Sequence, residues 1–157
     1  MRAVLLSLVL SLLLGLGSLA SAAELPAQEA TWAEQYLKNH HSHLLDGSDK
    51  DHVMSVYFFG RVNNYSLMGL ERVQGDDYEQ HFTLLFFEDK NLVGYYQNVL
   101  SFPSLISAQG EVSFPLGIKT YYQKSHRPLS IAPSQQPEAL CQEQGENSQC
   151  FPYHNLK

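Results

Sequence analysis

Histidine comes nearest to a chemical arrangement in this chain. His40-His41-Ser42-His43 closes a segment with helical periodicity, and Asp46 follows three residues after His43. Residues three apart lie on the same side of a helix, so His40 and His43 offer two imidazoles in one direction and Asp46 adds a carboxylate. That donor set suits Zn²⁺ or Cu²⁺ once a further ligand arrives from elsewhere in the fold. The competing reading is electrostatic, because imidazoles in a last helical turn favour the negative end of the helix dipole. The chain holds seven histidines in all. Their protonation near pH 5 would carry the formal charge from mildly negative to about zero.

The other reactive side chains form no catalytic constellation. Cys141 and Cys150 have eight residues between them, which is not the C-x-x-C of a redox pair. A structural disulfide is expected, closing a local loop and contributing roughly 2–3 kcal/mol in the chain-entropy model. Neither G-x-S-x-G nor H-E-x-x-H occurs, and the glycines are dispersed rather than gathered into a phosphate-cradling loop. Asp76-Asp77 and Glu88-Asp89 are adjacent carboxylates in turn-like sequence, where solvation is the expected state. The aromatic content is high, with nine Tyr and eight Phe. If their segments are strands, Tyr95-Tyr96 and Tyr121-Tyr122 each turn one ring outward, which suits a protein-binding surface.

The first residues address the chain. Met1-Arg2 is a basic start, residues 3–16 are almost unbroken apolar sequence, and Ala20-x-Ala22 offers a cleavage site. Residues 1–22 therefore read as a secretory signal peptide, cut before Ala23. The apolar run is too short for a good membrane span, and no Cys follows it to carry a lipid. An exported protein is expected, periplasmic or secreted, with no transmembrane span after cleavage. A formal charge of −6 without a Lys/Arg cluster argues against nucleic acid and anionic membranes as partners.

These residues must be positioned by a small set of elements. Thr31-Trp32-Ala33-Glu34 fits a capping box, and Ala33, Tyr36, Leu37 and Leu44 recur at helical spacing up to Gly47; a helix is expected over 29–46. Residues 48–60 favour a second, short helix capped by Ser48 and Asp49, with a strand through Val56-Tyr57-Phe58-Phe59 as the alternative. Asn63-Asn64 marks a turn, and 65–73 a strand. Residues 79–87 and 92–100 read as an antiparallel hairpin. Phe82, Leu84 and Phe86 face one way and Thr83, Leu85 and Phe87 the other, so this strand should be covered on both sides. Alternation places Val93, Tyr95 and Val99 on one face and Leu92 and Tyr96 on the other, while Gly94 signals a bulge or a close approach. Two Ser-Phe-Pro segments, ending at Pro103 and Pro115, echo each other across a turn at 108–111 as the arms of a simple hairpin. A last edge strand is expected over 118–123. Residues 126–157 carry Pro128, Pro133, Pro137 and Pro152 and read as an extended tail with a local disulfide loop. The fold class is α+β: one or two N-terminal helices on one face of an antiparallel sheet, forming a single domain over 23–125.

A helix, then Asp49-Lys50-Asp51-His52-Val53 leading to Gly60, then a hairpin through Leu84-Leu85-Phe86-Phe87 and Leu92-Val93, resembles the small envelope proteins of the SmpA/OmlA type over 48–99. The resemblance implies two helices packed on a three-stranded sheet and action by contact rather than catalysis. The chain departs from that type in lacking a lipid-bearing Cys and in its Pro-rich, disulfide-bearing tail. The expected function is non-enzymatic binding of an envelope protein, met through Tyr95, Tyr96, Tyr121 and Tyr122. Two alternatives stand beside it. One is a carrier of a small apolar ligand in a helix–sheet pocket of roughly 300 Å³ or more. The other is a Zn or Cu protein using His40 and His43; no other cofactor is implied.

Overall fold

The computed structural model describes residues 21–45, 54–74, 76, 78–132 and 137–157. The proposed leader up to Ala20, and Asp46 of the candidate metal set, lie outside them. The first helix, α1 (Ser21–His40), is followed by a short 3-10 turn over Ser42–Leu44. It starts earlier and ends sooner than the expected 29–46. Thr31 is not its cap: inside the helix, the Thr31 hydroxyl donates to the Ala27 carbonyl at 2.9 Å, the back-bond available to a Thr in a helix interior. Glu29, Ala33 and Leu37, each four residues apart, form the buried stripe.

The second helix does not form over Met54–Val62. This segment is the strand β1, paired antiparallel with β2 (Tyr65–Gln74) across Asn63-Asn64. Its Val, Tyr and Phe side chains favour a pleated, half-buried surface, and β2 supplies a full partner ladder that the helical caps cannot offset. The two-helix arrangement implied by the SmpA/OmlA resemblance is therefore absent from the described residues. β3 (Glu79–Glu88) and β4 (Asn91–Val99) form the expected hairpin. The turn is tighter than the expected four residues: Asp89 and Lys90 both adopt positive φ, the signature of a two-residue turn matching strand twist.

The described part of the expected tail instead carries strands over 140–144, 147–151 and 153–155. After the short hairpin β5 (Leu105–Ile106) and β6 (Val112–Ser113) come β7 (Ile118–Tyr122), β8 (Leu140–Gln144), β9 (Asn147–Phe151) and β10 (Tyr153–Asn155). β7, β8 and β9 form a three-stranded sheet, and β10 joins the main sheet in the order β1-β2-β3-β4-β10. The proline content hides four apolar residues, Leu129, Ile131, Leu140 and Phe151, which form no continuous periodic run. All four are buried in the core. Cys141 and Cys150 are joined as directly opposed partners of the β8–β9 ladder, so the disulfide staples a hairpin rather than an irregular loop.

The main sheet has a core on each face. α1 covers one side, where Ala33, Leu37, Met68, Leu70, Leu85, Phe87, Leu92 and Tyr95 pack. The C-terminal half covers the other, burying Leu67, Leu84, Phe86, Val93, Tyr96, Val99 and the four residues from the former tail. The side assignment within β3 is as its period-two pattern predicts. In β4 it is not: the register shifts at Val93, opposite Phe86 and Phe87, and again at Asn98, opposite Phe82 and Thr83, so Leu92 and Tyr95 share the helix face while Val93, Tyr96 and Val99 share the other. A bulge supplies the extra residue that reverses the alternation. Buried Glu29 pairs with Arg61 at 3.0 Å, and Arg61 Nε donates to Ser66 Oγ, fixing α1 to the β1–β2 hairpin.

Candidate interaction surface

Alternation along β1 turns Tyr57 and Phe59 to the face opposite α1. The register slips at Phe59, so that Gly60 opposes Leu67. Beneath them lies Gly69, where an added Cβ would stand 2.7 Å from the Phe59 ring and 2.8 Å from that of Phe102. No other residue leaves room for rings to lie this close to the backbone. Phe102 belongs to the first Ser-Phe-Pro segment and meets Phe82 at 4.7 Å, Phe59 at 5.2 Å and Tyr57 at 5.6 Å between centroids. These separations are those of favourable offset and edge-on aromatic pairs. Pro103 then ends the arm, and Leu105 projects outward with 66% of its surface exposed. The second segment repeats the device: Phe114 packs on the core and Leu116 is fully exposed.

Tyr57, 41% exposed, is held by its polar end. Its hydroxyl donates to Glu71 Oε2 at 2.6 Å, and Gln80 Nε2 donates to Glu71 Oε1 at 3.1 Å. The Glu71 hydrogen bond pushes the Tyr57 hydroxyl above its ordinary pKa, with burial adding to it. The result is a ledge of Tyr57 and the Phe102 edge, apolar in body and hydrogen-bonded at its rim, with the exposed Leu105 following Phe102 on the same arm. The sequence favours a helix over 48–60, which scatters Tyr57 and Phe59, and only its strand alternative sets them on one face. The Ser-Phe-Pro echo was the available signal.

The predicted surface tyrosines divide. Tyr96 is fully buried and donates to the Glu138 carbonyl at 2.7 Å; burial pushes its hydroxyl far up. Tyr95 is buried on the helix face with His154 stacked flat on it at 4.7 Å. Because the sheet is covered on both sides, this pair turns no ring outward. Tyr122 is also buried. Tyr121 is the exception: it lies half-buried, stacks on His126 at 5.3 Å, and donates to Glu143 Oε1 at 2.5 Å under Lys119. That hydrogen bond holds the Glu143 carboxyl below its ordinary value.

The histidines gather around an aromatic ring. His40 and His41 lie 4.8 and 5.7 Å from the Tyr36 ring, and His43 lies 5.9 Å from His41. Among the described residues, no three His, Cys, Asp or Glu side chains form a metal-ligand group. Burial, then the neighbouring His43 and His40, lowers the His41 pKa below its ordinary 6.5. The folded state thus resists a proton that the unfolded chain accepts, so this contribution is full above pH 6.5 and is lost as pH falls below it. Thermal unfolding at pH 7.5 and 5.5 is expected to show lower stability at the acid pH, with His41→Gln shrinking the difference. An equal difference in the variant would contradict this origin. The window lies above that of Glu88, Glu138 and Glu143, whose pKa values are lowered from 4.5.

Two surface clefts are open to solvent. One, of about 390 Å³, is bordered by Glu111, Tyr122, Arg127 and Ser130. The other, of about 350 Å³, lies among Arg61, Asn63, Asn64, Asp89 and Lys90 at the two hairpin tips. Among the described residues, no helix is long and apolar enough to cross a membrane. No protein-family model, curated protein or solved structure matches the chain.

Proposed function

We propose that this is an exported, non-enzymatic protein that acts by binding another protein of the envelope, through the ledge formed by Tyr57, Phe102 and Leu105. The observation that carries the reading is the exposed Tyr57 packed edge-on against Phe102, with Leu105, three residues further along the same arm, also turned outward. Exposed aromatic and aliphatic groups that are already ordered lose little entropy on docking, and Tyr is favoured at interface centres. The disulfide supports an oxidising compartment. The carrier alternative has less support, since the two clefts among the described residues are open to solvent rather than enclosed.

A photo-reactive residue at position 105 or 57, introduced into the chain in its own host, tests the reading. A discrete cross-linked species is expected at both positions. Tyr78, more exposed than either but far along the β2–β3 turn, should give none. Cross-linking that is absent at 105 and 57, or equal at all three, would count against the ledge.

A further inference from the structure

The outer edge of β4 is occupied by a short stretch of the chain itself. β10 pairs only three residues with it: Tyr153 with Tyr96, His154 with Tyr95 and Asn155 with Gly94. One more bond runs from the Leu156 N–H to the Val93 carbonyl at 3.0 Å. In the middle of the sheet, by contrast, β2 and β3 pair along ten residues.

The side chains of 153–157 meet three distinct features. The Tyr153 ring lies across the backbone at Gly94, where a Cβ would come within 2.2 Å of it, and meets Tyr96 at 5.1 Å and Phe86 at 6.0 Å edge-on. Burial pushes its hydroxyl up to about 12. His154 lies flat on Tyr95. The Lys157 ammonium engages Glu88, which also accepts from the Tyr65 hydroxyl at 2.8 Å. The edge therefore combines an aromatic notch, a flat aromatic shelf and a carboxylate, met by residues 153, 154 and 157. Main-chain pairing with side-chain pockets at fixed positions is how sheet edges recognise extended peptides.

Two features separate this segment from the rest of the fold. Pro152 has no N–H, so the ladder breaks between β9 and β10. Before it, buried Phe151 and the Cys141–Cys150 bridge hold β9 in place. Release of 153–157 thus leaves the three-stranded sheet intact, as local opening requires. Glycine also weakens a strand interior, and at position 94 it gains nothing but the space that Tyr153 fills.

We infer that segment 153–157 is an intramolecular ligand in a strand-binding groove along β4. The groove accepts in exchange an extended segment of a partner protein with an aromatic residue over Gly94 and a basic residue four positions later. This rests on the protein-binding reading above and gives that partner a recognisable chemistry.

The test uses the full chain and a fluorescein-labelled heptapeptide, Phe-Pro-Tyr-His-Asn-Leu-Lys, followed by anisotropy. A groove filled by its own segment is available only in proportion to the open fraction. Tyr153→Gly is therefore expected to bind the peptide about tenfold more tightly than the unmodified protein. Replacing the peptide's Tyr with Ala, or its Lys with Glu, should remove that gain. A Tyr153→Gly protein with its disulfide formed and unchanged circular dichroism that binds no better would overturn the inference. Should that variant not fold, Lys157→Glu opens the segment more gently, and an unchanged affinity there would overturn it equally. Failure of the peptide with cross-linking at 105 and 57 retained removes the groove alone. Loss of those cross-links with peptide binding retained removes the ledge alone.

Discussion

Replacing Gln142 with leucine is expected to destabilise the protein by about 3–5 kcal/mol, since each buried polar group left without a partner costs about 1–3 kcal/mol. Gln142 is fully buried. Its Oε1 accepts from the Leu100 N–H at 2.7 Å and the Ser101 N–H at 3.3 Å, while Nε2 donates to the Ser101 carbonyl at 3.3 Å and to Thr120 Oγ1 at 3.4 Å. Leucine matches the volume, so packing changes little and the loss is electrostatic. Two backbone donors and one acceptor, on the half-buried Leu100 and Ser101, would lose their partner on the side that faces the core. A total stability of about 5–15 kcal/mol is usual for a domain of this size, so this single amide holds a large share of it. The effect also reaches the ledge, because Leu100 and Ser101 lead directly into Phe102. Urea unfolding should show a lower midpoint at an unchanged slope. A loss below about 1 kcal/mol, the net worth of one ordinary hydrogen bond, would mean the backbone finds other partners and the assignment fails.

Such a residue could not be found from the sequence, and the reason applies to much of this fold. Gln142 acts on a segment 41 and 42 positions away, and nothing near it in the chain announces the contact. What was legible was local and periodic. In β3 the alternation of Phe82, Leu84 and Phe86 against Leu85 and Phe87 declared a strand covered on both faces, and the structure covers it so. Asp89-Lys90 and Asn63-Asn64 read as turns for the same local reason. Position 48 onward misled because good capping chemistry at Ser48 and Asp49 competed with strand formers at Val56 to Phe59, and only the presence of β2 decides between them. The alternation in β4 failed at Tyr95 and Tyr96 because a bulge reverses faces without a unique sequence mark; Gly94 hinted at it and at the close approach, but not at Tyr153 as the neighbour. The candidate ledge failed with β1. The C-terminal strands escaped the pattern because Leu129, Ile131, Leu140 and Phe151 are spread through Pro- and Gln-rich sequence and form a core only with partners from β2, β3 and β4.

Removal of the disulfide, by Cys141→Ala with Cys150→Ala, is expected to lower the melting temperature by about 10 °C, from roughly 2–3 kcal/mol of lost unfolded-state constraint. The magnitude follows from loop length alone, whichever structure the loop adopts. The form of the transition does not. A bridge closing a loose tail would leave the main core unaffected, and its loss would produce a minor early transition with the main one in place. Here the bridged pair lies beside Leu140 and Phe151 in the β8–β9 register, and both of those side chains are buried in the same core as Leu67, Leu84 and Phe86. The hairpin cannot open without exposing that face of the main sheet. Calorimetry should therefore record one cooperative transition displaced downward as a whole. Two separate transitions, with the larger at its original temperature, would show that the C-terminal sheet folds as an appendage after all. The groove along β4, which depends on β9 staying in place when 153–157 leaves, would then lose its anchor as well.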